Sequence, residues 1–147
     1  MPEPFVPEVF AAPRSFVGPG FRFEPLGPQH NDRDYEAWTS SIEHIRETPG
    51  FQDWDWPAPM TLDENLADLE GHAADFDNRT GFTYSILDGQ EVIGCIYIYP
   101  SPESGHDAAV RSWVRASRAD MDRVIWEKVS EWLATAWPFS TPSYADR

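Results

Sequence analysis

The segment Phe51-Gln52-Asp53-Trp54-Asp55-Trp56-Pro57 interleaves aromatic rings with carboxylates. That pattern can receive a cationic amine, because Asp53 and Asp55 supply opposite charge and an indole face attracts an ammonium through its quadrupole. The same residues can equally form a loop pinned to the body by its tryptophans. Tyr97 and Tyr99 alternate with Ile96 and Ile98, so they share one side of a strand and either enter a cleft or cap the core. Trp54, Trp56, Tyr97 and Tyr99 are therefore the candidate substrate-binding residues. Proton acceptors are His106 and Asp107, adjoining the start of a strand, and Glu47, near His44 on one face of a helix. His72 follows Gly71 inside a helix whose apolar stripe leaves it out, which assigns it to the surface. Cys95 sits in the apolar run Val92-Ile93-Gly94-Cys95-Ile96 and reads as a small core residue rather than a nucleophile. No HExxH, GxSxG, P-loop or dinucleotide fingerprint is present.

The elements that must position these groups follow from periodicity. Residues 1–20 carry Pro2, Pro4, Pro7, Pro13 and Pro19 between apolar residues, an extended arm that covers the domain surface or a partner subunit. Phe21 to Leu26 alternates and stops at Gly27-Pro28, a short strand. Tyr35, Trp38, Ile42 and Ile45 predict a helix ended by Pro49-Gly50. Thr61 with Glu64 is a capping box opening a second helix, striped by Leu62, Leu66, Leu69, Ala73 and Phe76. Phe82–Leu87 and Glu91–Tyr99 form a hairpin through Asp88-Gly89, and the second strand is apolar on both faces, as in a sheet covered by helices on both sides. Asp107–Arg115 alternates again, Val124 to Ala136 is helical, and the tail after Pro138 supplies one short edge strand. The reading is an α/β (α+β) chain: an arm over 1–20, then one domain over 21–147 with a mixed sheet of about five strands and about three helices.

Charge narrows the partners. With 25 acidic against 11 basic residues the chain carries −14, a field that repels phosphate backbones and anionic lipid, so nucleic acid and membrane are excluded as expected partners. A single cysteine rules out an intrachain disulfide or a thiolate metal cluster, and no metal site is expected. No stretch approaches the roughly 20 apolar residues of a membrane helix, and the start lacks the basic and apolar regions of a secretory signal. A cytoplasmic location is expected.

The element order resembles that of the GCN5-related N-acetyltransferase (GNAT) family, nearest to the branch that modifies ribosomal-protein N-termini and small amines. The residues that carry the resemblance are the strand Phe21–Leu26, the helix opening Met60-Thr61-Leu62-Asp63-Glu64, and the hairpin Phe82 to Gly94 with its Ile-Gly step. The resemblance implies acetyl-CoA as cofactor, its pantetheine arm along Trp113 and Val114 and its phosphates near Arg115 and Arg118 at a helix N-terminus. It further implies an amine acceptor, either a small molecule or a protein N-terminus, and a homodimer is compatible with it. Two departures stand out. Arg118 and Asp120 occupy positions where the family has glycines, with Asp120 and Asp122 opposing a pyrophosphate. The chain also ends soon after Trp137, so Tyr144 does not match the family's tyrosine general acid. Two functions follow: an acetyl-CoA-dependent N-acetyltransferase, or a degenerate GNAT fold used as a binding or interaction module.

Overall fold

The computed structural model describes residues 4–147, and the first three residues of the expected arm lie outside the described residues. Strands β1 (Phe16–Gly18) and β2 (Phe21–Pro25) lead into helices α1 (Asn31–Thr39), α2 (Ile42–Glu47) and α3 (Leu62–Asn78). Strands β3 (Phe82–Asp88), β4 (Glu91–Tyr99) and β5 (Ala108–Val114) follow, then helix α4 (Asp122–Ala136) and strand β6 (Pro142–Tyr144). All six strands form one sheet in sequence order; neighbours are antiparallel except β5 and β6, which run parallel.

Two differences from the expected count have local causes. β1 comes from the end of the arm, which turns back to pair Val17 with Arg22. The first helix is broken in two at Ser40-Ser41. There Thr39 Oγ1 bonds Tyr35 O at 2.6 Å and Ser40 Oγ bonds Ala37 O at 3.0 Å, hydroxyls competing for carbonyls at the helix end. Buried Ser41 then turns its own hydroxyl to accept from Ala116 N at 2.9 Å.

The sheet divides two cores. On one face Phe23, Tyr84, Ile96 and Ile98 pack under Ile125, Val129 and Trp132 of α4. On the other, Leu87, Val92, Cys95 and Trp113 pack under Trp38 of α1 and Leu69 of α3. The arm closes the first core of its own chain. Val6 is 1% exposed, Phe5 stacks on Phe139 at 5.2 Å, and Tyr84 donates to Pro13 O at 2.6 Å. Arg79 fastens the arm further by donating to the carbonyls of Pro7 and Phe10.

A β-bulge sets which residues of β4 face which core. Ile86 pairs with Gly94 but Leu87 pairs with Val92, so Ile93 is the extra residue. Val92 lies in the second core while Ile93, Ile96 and Ile98 lie in the first. Were the same residues to alternate without the bulge, Val92 and Ile96 would share a face, and every later side chain of the strand would change sides. Gly94 permits the bulge: a Cβ there would sit 2.1 Å from the backbone oxygen of Trp113.

Gly71, exposed on α3 with nothing within 4 Å of a built Cβ, makes the opposite case. Gly71→Ala is expected to stabilise by about 0.5–1 kcal/mol through helix propensity. Gly94→Ala must move backbone and is expected to destabilise by about 1–3 kcal/mol. Paired denaturant melts of the two variants check both signs.

Candidate functional site

Four of the sequence candidates meet around one cavity of about 410 Å³ between α3, the β4–β5 pair and the loop before α3. Tyr97 and Tyr99 point into it because the bulge turns them to the second-core side, opposite Arg111 and Ala109 of β5. The loop brings Trp54 and Trp56 to within 6.0 Å and 6.4 Å of the Tyr97 ring. That loop is clamped at both ends. Arg46 donates to Pro57 O at 2.9 Å, and Tyr35 donates to Met60 O at 2.6 Å. Trp56 also leans on Trp38 at 5.4 Å and on Trp113 at 5.9 Å, so it serves the core and the cavity together. Tyr97 accepts the Trp113 indole N–H at 3.0 Å, and burial pushes its hydroxyl pKa well up, so the phenol stays neutral.

The polar wall comes from α3. Asp68, His72 and Asp75 follow at helical spacing and line the cavity together. Tyr99 donates its hydroxyl to Asp75 Oδ2 at 2.8 Å, and His72 Nδ1 lies 2.8 Å from the same hydroxyl oxygen. With the tyrosine proton on Asp75, the imidazole is the donor in that contact. His72 Nε2 then faces Asp68 Oδ2 at 3.6 Å. Lying off the apolar stripe, His72 is expected at the surface. In the fold it is the strip beside that stripe, formed by residues 68, 72 and 75, that lines the hollow. Asp53 and Asp55, the acids expected to meet a cation, are exposed and do not line the cavity.

The expected proton acceptors lie elsewhere. His106 Nδ1 contacts Thr141 O at 3.0 Å, while Asp107 accepts from Ser140 N and Thr141 N at 2.6 Å and 3.1 Å, fastening the entry to β6. Glu47 is exposed at the end of α2.

The cofactor residues implied by the family resemblance are committed to structure. Trp113 is buried in the second core and Val114 in the first. Arg115 pairs with Glu36 at 2.6 Å and reaches Glu91 at 3.5 Å; Arg118 pairs with Asp88 and Glu91, both at 2.8 Å. These cations tie the acidic hairpin turn and α1 to the end of β5. A 3₁₀ turn over Ala116–Met121 replaces any glycine cradle, and the first acid of α4, Asp122, pairs with Arg147 at 2.6 Å. β5 and β6 pair over Ala108–Val110, and beyond that point Arg147 donates to Ser112 O at 2.7 Å beside the Tyr144–Ser112 hydroxyl contact. Side chains thus fill the space between β5 and the chain beyond β6, past the point where the two strands pair. These residues do not fit a pyrophosphate or an extended arm as the resemblance implies.

The sheet order, the two helices on one face and α4 crossing to a parallel last strand define the GCN5-related N-acetyltransferase fold. Among solved structures the chain is similar to the ribosomal-protein-S5-alanine acetyltransferase from Vibrio fischeri, with TM-score 0.62 and 12% identity over 83% of this chain and 68% of that one. It is also similar to RimJ of Mycobacterium smegmatis in complex with CoA-disulfide, with TM-score 0.53 and 16% identity over 67% and 48%. A Salmonella typhimurium acetyl transferase that modifies the N-terminal serine of a 50S ribosomal subunit protein gives TM-score 0.59 and 8% identity over 80% and 63%. The chain therefore spans 48% to 68% of the length of these proteins. No family model and no curated protein matches the sequence. No described helix is long and apolar enough to cross a membrane.

Behind the cavity wall, α1 and α3 are joined by a buried polar knot. Asn65 accepts from Trp38 Nε1 at 3.0 Å and donates to Asn31 Oδ1 at 2.8 Å and to Asp34 Oδ2 at 3.2 Å. Burial raises Asp34 from 3.8 to about 6, with the Asn65 bond pulling the other way. A carboxyl whose folded pKa is raised binds its proton more tightly when folded. Ionisation therefore costs nothing below 3.8, costs progressively more up to about 6, and is constant above that. At about 1.4 kcal/mol per tenfold, the full cost is about 3 kcal/mol. Asp34→Asn is expected to gain roughly that much stability over wild type at pH 7 and to lose the advantage by pH 4. Urea titrations across that range measure the difference.

Proposed function

We propose that this chain binds a small cationic amine in the cavity between α3 and the β4–β5 pair, and does so without transferring an acyl group to it. One observation carries the reading. The aromatic and acidic hollow is fully built, whereas the β5–α4 turn has its cations spent on Glu36, Asp88 and Glu91. Tyr97 and Trp56 offer ring faces, and Asp68 and Asp75 offer opposite charge, so an ammonium gains both terms in a partly desolvated place. The excess of acid over the whole chain draws the same class of ligand toward it.

A second reading is favoured by the fold itself. The Vibrio fischeri and Salmonella typhimurium structures are acetyltransferases, and the Mycobacterium smegmatis structure holds CoA-disulfide. On that reading the bound amine, a small molecule or a protein N-terminus, is the acceptor, and acetyl-CoA is the donor.

Calorimetric titration with n-propylamine, phenethylamine and tetramethylammonium tests the primary reading. At least one is expected to bind, and Trp56→Leu is expected to weaken it about tenfold or more, the scale of a desolvated cation–π contact. Acetyl-CoA at millimolar concentration is expected to give neither heat nor thermal shift. Silence from every amine at ten-millimolar concentration removes the proposal, and cofactor-dependent thiol release above background moves the function to the transferase.

A further inference from the structure

The cavity has a second pole. Arg111, on β5 directly opposite Tyr97, lies with its guanidinium carbon 4.2 Å above the Trp54 ring and donates Nε to Gly50 O at 2.9 Å. These two contacts fix the plane of the group and use its stacking face and one donor. The terminal nitrogens of Arg111 have no hydrogen-bond partner, and no carboxylate pairs with it, among the described residues. By contrast Arg22, Arg115, Arg118, Arg123 and Arg147 are each ion-paired, and Arg33, Arg46 and Arg79, which lack an ion pair as Arg111 does, give terminal nitrogens to carbonyls. The Glu103 charge acts on Arg111 from beyond ion-pair distance. In a chain with 25 acids, a half-buried arginine without a carboxylate is a site that a ligand's carboxylate can complete.

The acidic residues stand at the other end. Asp75 is tied to Tyr99, whose strand partner is Ala109, and Arg111 follows two residues along β5. Two strand residues span about 7 Å, so the cationic and anionic groups of the wall are offset along β5 by roughly the reach of a small dipolar molecule with a hydrogen bond at either end. Ala109, at the Tyr99 end, contributes only a methyl group to the lining.

We propose that the ligand is a zwitterion, a free α-amino acid, with its ammonium toward Asp68 and Asp75 and its carboxylate on the terminal nitrogens of Arg111. This rests on the amine-binding reading and names the substrate class of that site. The aromatic walls of Trp56 and Tyr97 then face the amino-acid side chain, which favours an apolar one.

The test compares leucine with 3-methylbutylamine, the same skeleton without its carboxylate, by calorimetry on the full chain. Leucine is expected to bind at least tenfold more tightly than the amine. In Arg111→Gln that advantage is expected to vanish: leucine loses about tenfold or more, while the amine, relieved of a like charge in the same cavity, binds as well or more tightly. Arg111→Lys, which keeps the charge, is expected to retain most of it, and thermal melts of both variants establish that Trp54 still packs. An amine that binds as well as leucine, or an Arg111→Gln change that weakens both alike, overturns the zwitterion while leaving the amine site standing. Absence of binding by both removes the amine reading and this proposal with it.

Discussion

The single extra residue at Ile93 governs what this molecule presents to solvent. β4 is apolar along both faces, so its side chains have no preference of their own for one core over the other. The bulge chooses for them, and it exists because Gly94 lets the Trp113 carbonyl come within the space a Cβ would fill. From that point Tyr97 and Tyr99 face the helical layer of α1 and α3 rather than α4. They meet the loop tryptophans and the polar strip of α3, and the cavity is the result.

The charged groups divide in the same way. Arg115 and Arg118 neutralise the acidic hairpin turn and α1, and Arg147 with Tyr144 seals the far side of β5. Cations that another member of this fold class could turn toward phosphate are here internal fasteners. A phosphate at the turn would have to break ion pairs that are already made, and Asp120 and Asp122 would oppose it. On the other side of β5, Arg111 has no ion-pair partner among the described residues. The fold keeps the scaffold of its class, and the aromatic hollow is the site proposed for the amine.

Much of this was legible in the sequence where the signal is local. The Thr61–Glu64 capping box forms with bonds of 2.8 Å and 3.1 Å, and the Asp88-Gly89 turn joins β3 to β4. The α4 stripe packs as its spacing predicts, as do Leu69 and Phe76 of α3, whereas Leu62 at the start of the α3 stripe is 40% exposed. What escaped was non-local. Arg118 finds Asp88 thirty residues away, and no pattern around either announces it. The phase of β4 was illegible because apolar residues on both faces leave the alternation unmarked. His72 was misplaced for a related reason: a residue off the apolar stripe reads as solvated unless the neighbouring strand and loop are known to enclose it. The Asp68, His72, Asp75 spacing was the available signal. The His106-Asp107 pair stands beside a strand, as a proton acceptor would, yet its contacts serve the entry to β6.

The most direct test of the account follows the indole N–H resonances of the seven tryptophans by heteronuclear NMR as a small amine is added. The account predicts that the signals of Trp54 and Trp56 shift in proportion to occupancy while those of Trp132 and Trp137, on the α4 side of the sheet, stay in place. Shifts confined to the α4-side tryptophans, or none at saturating amine, would contradict it.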